Sequence, residues 1–442
     1  MGYVPKVVIV GGGFGGLAAA QALSREPVDV VLVDRTNYHL FQPLLYQVAT
    51  GGLSPANISM PLRTILRRQN NARVLMSEVI DFDLVNNRVL VRDGQPLMFD
   101  YLIVAAGAGT SYFRNPDWEM LAPGLKSIED ARQIRTEVLT AFERAERLGF
   151  PLPPGALDFV VVGGGPTGVE MAGAIAELSR LTMRGEFRAI RSEKARVILV
   201  ENGPRVLGAF SPESSSHALD SLRKLGVEVR LETMVKDVAA LEGYPSRLVK
   251  LEKAGVVEEI PCAMVVWGAG VQASALAAKL AAKTGLTLDR GGRIPVGQDG
   301  SILGFPNVFA VGDMAALIPD GAERALPGVA PVAQQLARHV AGVIGGRVRG
   351  EPNPGPFVYV DRGNMATIGR AAAVAETFGM RLKGFLAWMA WLFIHLLLLV
   401  GFQNRLLVLT QWAANYLTYN RAARLITPLA STNGKDKPQV NT

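Results

Sequence analysis

Residues 7–20 read VVIVGGGFGGLAAA, and residues 159–173 read FVVVGGGPTGVEMAG. The two stretches align without a gap at an offset of 152. Each is a run of β-branched residues, then glycines, then small residues. That is the pattern of a buried strand, a tight turn and a helix start. Both fit G-x-G-x-x-G, with Gly11, Gly13 and Gly16 in one copy and Gly163, Gly165 and Gly168 in the other. The first glycine turns the chain, the second clears room for a pyrophosphate, and the third lets the helix lie close to the strand. The helix N-terminus then offers free N–H groups and partial positive charge to the phosphates. One such motif is weak. Two, each between an apolar strand and a small-residue helix, predict an α/β chain with two Rossmann-like dinucleotide-binding domains.

The next strand of each copy carries an acid. VDVVLVDR brings Asp34 to a strand end 23 residues after Gly11, and ARVILVEN brings Glu201 there 38 residues after Gly163. A carboxylate at that place binds ribose hydroxyls, although each could also be a solvated strand end. At Glu201 it would repel a 2′-phosphate, which favours NADH over NADPH. The longer second spacing is expected to come from a crossover helix lengthened by the polar stretch 179–195. Strands are also expected in DYLIVAAGAGT (100–110), AMVVWGAGV (263–271) and NVFAVGD (307–313), the last ending at Gly312–Asp313. A helix over 127–148 and the linker PLPPG (151–155) join the two folds, and EPNPGPFVYVDRG (351–363) reads as a turn and then a strand.

Composition narrows the chemistry. The 442 residues are 49% apolar with both charge signs well represented, a globular composition. The single cysteine, Cys262, excludes an internal disulfide, a redox-active cysteine pair and a cysteine-ligated cluster. His39, His217, His339 and His395 lack metal-ligand spacing, so no metal site is assigned. Electron chemistry must then come from a bound organic cofactor. The apolar N-terminus is not expected to be a secretory signal, because five glycines at positions 11–16 would break its apolar helix. Lys6 stands where a myristoylation signal needs Ser or Thr.

The net charge of +7 gathers at the end of the chain: residues 381–442 hold seven Lys/Arg against one acid, Asp436. The sequence between those charges is apolar, which points to an anionic membrane surface rather than nucleic acid. Gly384 to Asn404 is 21 residues without Lys, Arg, Asp or Glu, long enough to span a bilayer. It contains His395, Gln403 and Asn404, however, and a second apolar stretch, 406–419, follows Arg405. Trp388, Trp391 and Trp412 suit an interfacial belt. These features weaken a spanning helix, and helices lying in one leaflet or a buried dimer helix stay open beside it.

With GGGFGG, HLFQPLLYQVATG (39–51), AAGAGT (105–110), GGGPTGVEMAG (163–173), FAVGD (309–313), LPGVAPVAQQ (326–335) and AWMAWLFIHLLLLVGFQNRLLVLTQW (387–412), the chain resembles the type II NADH dehydrogenases, monotopic NADH:quinone oxidoreductases. The resemblance covers nearly the whole chain. It implies FAD in the first fold and NADH in the second, with hydride passing to the flavin and two electrons to a membrane quinone, without proton pumping. It divides the chain into an FAD domain (1–113 and 290–382), an NADH domain (114–289) and a C-terminal amphipathic helical membrane anchor with a basic tail (383–442). The candidate cofactor-binding residues are Gly11, Gly13, Gly16, Asp34, Ala106, Gly107, Gly163, Gly165, Gly168, Glu201, Gly312 and Asp313. Glu170 matches an NADH-side acid placed near the nicotinamide, where substrate positioning or proton handling is expected. Quinone reduction takes up two protons. At the 152 offset Glu170 replaces Ala18, and its blander reading is a cap in the first helical turn. The family's A-Q-x-A-x-Q pattern reads here Ala330-Pro331-Val332-Ala333-Gln334-Gln335. Gln335 is kept as the quinone-site amide, while Pro331 removes the other. A homodimer on the cytoplasmic face of the inner membrane, with no nucleic acid as partner, completes the expectation. Sulfide:quinone oxidoreductases and disulfide reductases need cysteine pairs that this chain lacks. A reductase of a ferredoxin-like acceptor and a non-catalytic NADH sensor are the remaining rivals.

Overall fold

The computed structural model describes residues 3–377, 379–418, 421 and 423–427. Lys435, Asp436 and Lys437 of the basic tail lie outside them. Two compact units form, Met1–Leu40, Ser59–Ser111 and Val271–Arg362 in the first, and Phe41–Ile58, Tyr112–Gly270 and Gly363–Thr442 in the second. Three segments sit differently from the cofactor-based division. Residues 271–289 stay with the first unit because strand Val271–Ala273 pairs with Ala108–Thr110. Residues 41–58 belong to the second, where helix Leu45–Ala49 lies along helix Ile128–Leu148. Residues 363–382 belong there too, because strand Asn364–Gly369 packs on helix Pro166–Glu177.

The first unit holds a sheet in the order Ser301–Ile302, Phe305–Ala310, Tyr101–Val104, Lys6–Val10, Asp29–Asp34, Ala72–Met76. All but the edge strand Ser301–Ile302 are parallel. The strands read as unbroken apolar runs because parallel strands are buried on both faces; Val7, Val8 and Ile9 are fully buried. Helix Phe14–Ala22 packs against helix Ala330–Arg349. The expected strand in 351–363 does not form. Pro352, Pro354 and Pro356 remove three ladder donors. The segment is held instead by the Phe357 N–H on Gln298 O and by buried Phe357.

The second unit repeats the theme with a parallel sheet ordered Val227–Arg230, Arg196–Val200, Asp158–Val162, Met264–Trp267. Helix Ile128–Leu148 starts at a capping box, Ser127 with Asp130. The crossover is not the lengthened helix expected. Helix Pro166–Glu177 stops in a π-type turn, Leu178–Thr182, and residues 183–195 form a loop with one short 3-10 turn. The N–H groups of Arg188, Ala189 and Ile190 donate to the Glu146 carboxylate, which satisfies the loop backbone without helix.

A three-stranded antiparallel sheet, Asn364–Gly369, Ala372–Thr377 and Met380–Lys383, leads into the last two helices, Gly384–Leu398 and Phe402–Thr418. Gly401, at φ +91°, divides the long apolar stretch in a backbone conformation that favours glycine. At 15 and 17 residues the helices run about 22–26 Å, short of the roughly 30 Å apolar thickness of a bilayer. Among the described residues no helix is long and apolar enough to cross a membrane. Trp391 is buried, whereas Phe385, Leu386, Phe393, Leu397, Leu409 and Leu417 are exposed.

Candidate active site

The two glycine loops are built alike. Gly11 and Gly163 take φ of +100° and +103°. A Cβ added at Gly16 would lie 1.7 Å from Gly11 O, and one at Gly168 would lie 1.8 Å from Gly163 O. At Gly13 and Gly165, the N-caps of the two helices, an added Cβ would meet nothing within 4 Å. The middle glycine of each loop thus leaves open the space that a pyrophosphate needs, directly before a helix N-terminus.

The acids occupy equivalent places. Asp34 Oδ2 accepts from the Gly12 N–H at 2.6 Å, and its Oδ1 accepts from the N–H and hydroxyl of Thr36 at 2.6 and 2.8 Å. Glu201 Oε2 accepts from the Gly164 N–H at 2.5 Å, and its Oε1 from the Gly203 N–H at 2.6 Å. A carboxylate offers about four acceptor sites, so each acid braces its loop and keeps a site for a ribose hydroxyl. Both loops therefore fit a dinucleotide. The first loop is braced further by His39, whose Nδ1 lies 2.9 Å from Gly12 O. Burial lowers the pKa of that ring. In the sequence His39 opens the HLFQPLLYQVATG stretch and lacks metal spacing, with nothing to mark it as a brace of the first loop.

The remaining predicted cofactor residues of the first unit gather beyond its central strands. Ala106 N–H meets Met314 Sδ at 3.3 Å, Gly107 O accepts from the Ser274 N–H, and Gly312 and Asp313 form the 3-10 turn after strand Phe305–Ala310. Gln335 lies on helix Ala330–Arg349, with Pro331 in the first turn, where its missing N–H costs nothing. The Gln335 amide donates to Val360 O at 3.0 Å and accepts from Val360 N–H at 3.1 Å. It holds the segment that lacks a ladder. One amide N–H and one oxygen lone pair remain.

Glu170 is not in the first turn of its helix, so the capping reading fails. It is half-buried, and desolvation pushes its carboxyl up to about 8 against the weaker opposite pull of the Thr367 N–H, 3.4 Å from Oε1. Gly173, one turn further on, makes this contact possible, since an added Cβ there would lie 2.4 Å from Ile368 O. Strand Asn364–Gly369 is an edge strand, so its outer N–H groups are free to meet a side chain. The Thr367 hydroxyl lies 3.1 Å from that of Tyr46, whose pKa burial raises. Tyr46 and Thr367 were missed as site residues. Tyr46 lies inside the PLLYQVATG stretch, but nothing in one sequence ties it to positions 170 and 367.

Cys262 is buried and pushed up to about 12, an inert thiol. No group of histidine, cysteine and carboxylate side chains that could hold a metal occurs among the described residues.

Residues 5–337 match the pyridine nucleotide-disulphide oxidoreductase family, and residues 362–420 match the NDH2 C-terminal domain. The chain is 46% identical over 429 residues to a type II NADH:quinone oxidoreductase of Mycobacterium tuberculosis, covering 96% of this chain and 90% of the relative. It is 28% identical over 448 residues to an internal alternative NAD(P)H-ubiquinone oxidoreductase of Arabidopsis thaliana mitochondria, covering 94% and 85%. Among solved structures, NDH2 from Plasmodium falciparum in complex with NADH superposes with a TM-score of 0.84 at 20% identity, over 95% of this chain and all of that one. The sulfide:quinone oxidoreductase of Aquifex aeolicus gives 0.70 at 18% identity, over 96% and 93%. At these identities the two structures speak for the fold alone.

Proposed function

The chain belongs to the type II NADH:quinone oxidoreductase family, and we propose that it oxidises NADH and reduces a membrane quinone, its two glycine loops and apolar C-terminal helices dividing the work. The observation that carries this reading is the duplicated loop with its acid, Gly11–Gly16 with Asp34 and Gly163–Gly168 with Glu201. In this reading the first loop holds the FAD pyrophosphate, Asp34 its ribose, and Ala106, Gly107, Gly312 and Asp313 the flavin side. Bound FAD supplies the two-electron acceptor and donor that no side chain here provides. The second loop and Glu201 hold NADH, and the Glu201 carboxylate disfavours a 2′-phosphate.

Glu170, protonated at neutral pH, keeps a proton for a reaction that consumes two. The free N–H of Gln335 serves a quinone carbonyl. The exposed apolar side chains of Gly384–Leu398 and Phe402–Thr418 lie in one leaflet, with exposed Arg381 and Lys383 at the lipid phosphates. Such a surface brings a water-borne and a lipid-borne substrate to one enzyme. A homodimer on the cytoplasmic face completes the assignment.

NADH oxidation by the flavin-loaded protein in detergent, with and without a soluble quinone, tests this. Turnover is expected only with quinone. Flavin that NADH reduces but quinone cannot reoxidise would remove the quinone assignment.

A further inference from the structure

A row of hydrogen bonds inside the second unit joins the last helix to Glu170. Trp412 Nε1–H donates to Gln47 Oε1 at 2.7 Å, and Gln47 Nε2 donates to the Tyr46 hydroxyl at 3.0 Å. The row goes on through Thr367 Oγ1, 3.1 Å from that hydroxyl, and ends with the Thr367 N–H, 3.4 Å from Glu170 Oε1. Chemistry fixes its direction as far as Tyr46. An indole is only a donor, so Gln47 must turn its oxygen to Trp412 and its NH₂ to Tyr46. The Tyr46 oxygen then accepts from Gln47, and between Tyr46 and Thr367 either hydroxyl can donate. The side-chain bonds run as far as Thr367 Oγ1 and so hold in place the residue whose backbone N–H meets the acid. The same helix is seated on the turn after Leu45–Ala49 by Asn415 Nδ2, 3.1 Å from Gly52 O.

We propose that Tyr46, Gln47 and Trp412 are positioning residues for Glu170, through which the seating of the last helix sets the proton affinity of the acid. This rests on the proton-holding role given to Glu170 above. Burial holds the carboxyl neutral, and the Thr367 N–H at the end of the row pulls the other way. Tyr46 is the ionisable group that faces Glu170 from helix Leu45–Ala49, and strand Asn364–Gly369 carries none. Glu177 and Arg421 act on Tyr46 and pair with each other at 3.0 Å, so their charges offset. The charges of the parallel sheet (Asp158, Arg196, Glu228 and Arg230) and of helix Pro212–Lys224 add nothing to Glu170. Loosening the row therefore leaves desolvation less opposed, and the acid holds its proton to higher pH.

The test uses the full flavin-loaded chain in detergent and follows the protonated carboxyl by infrared absorption as pH rises. Glu170→Gln identifies the band. In both Trp412→Phe and Gln47→Met the titration midpoint is expected to rise by roughly half a unit to one unit. The pH profile of quinone-dependent NADH oxidation should move with it. Trp388→Phe, off the row on the preceding helix, should leave the midpoint in place. A midpoint that stays or falls in both row variants, with wild-type amide bands and flavin content, overturns the proposal. A loss of kcat without a midpoint shift does the same, since it marks packing alone. Should Glu170→Gln leave turnover and pH profile intact, the proton role of the acid fails, and the infrared midpoints still decide on positioning.

Discussion

At Gly16 an added Cβ would press on the Gly11 carbonyl from 1.7 Å, and at Gly168 on the Gly163 carbonyl from 1.8 Å. In both loops a strand-end acid takes the N–H of the glycine next in line, Gly12 or Gly164. The copies diverge one turn later. Helix Phe14–Ala22 presents Ala18 and is covered by another helix, Ala330–Arg349. Helix Pro166–Glu177 presents Glu170 and is covered by the edge strand Asn364–Gly369. A covering helix has spent its N–H groups on its own carbonyls, whereas an edge strand has donors to spare. The loop is thus a common holder. The two copies part at one position beside it, where the covering element can hydrogen-bond an acid, and that acid is the one we propose for proton handling.

The sharpest way to break the symmetry is to strike the same glycine in each loop. Gly16→Ala and Gly168→Ala each force a methyl into a backbone carbonyl, which cannot yield without undoing the turn. Gly16→Ala is expected to lose bound flavin. Gly168→Ala should keep its flavin, reducible by dithionite, and lose reduction by NADH by at least about a hundredfold. Flavin content and single-turnover reduction measure the two. Equal loss of flavin in both variants would mean that the loops do not serve separate dinucleotides.

Next in size is the divergent position itself. Glu170→Gln keeps the acceptor for the Thr367 N–H and removes the proton, so quinone-dependent turnover should fall by about 10²-fold. The sign of the pH dependence follows from the raised carboxyl. Wild-type Glu170 is protonated below about 8 and loses its proton as pH climbs through that value. Activity that needs the protonated form declines there, and the variant should lack that limb. A variant profile that still bends near pH 8 would assign the limb to another group.

Much of this comparison was legible in the sequence, because glycine loops, apolar strands and strand-end acids are local patterns. The helix expected over 127–148 forms as Ile128–Leu148, and the structure adds the Ser127–Asp130 box that starts it. What failed was settled by distant partners. Residues 183–195 leave the helix because Glu146 satisfies their backbone. Segment 351–363 lies flat against Gln335 because its prolines cannot join a ladder. Tyr46 reaches Thr367 across 321 positions, and Thr367 reaches Glu170 across 197. No periodicity in one chain records such meetings. The small residue that permits the last of them, Gly173, reads in sequence as one more glycine of a small-residue helix.

The smallest effect concerns the acid of the second loop. Glu201 braces Gly164 and Gly203, and its proposed second task is to exclude a 2′-phosphate. Glu201→Ala removes both, so KM should rise for either nucleotide as the loop loosens, and KM alone decides nothing. The ratio of kcat/KM for NADH over NADPH isolates the charge, and about a tenfold fall is expected, equivalent to about 1.4 kcal/mol. Glu201→Gln separates the two roles further. Its amide oxygen can still accept from one of the two N–H groups, while the negative charge is gone. Its ratio should therefore fall as far as that of the alanine variant, with a smaller rise in the KM for NADH. A ratio unchanged in both would return Glu201 to a purely structural brace, the one role in which it and Asp34 are alike.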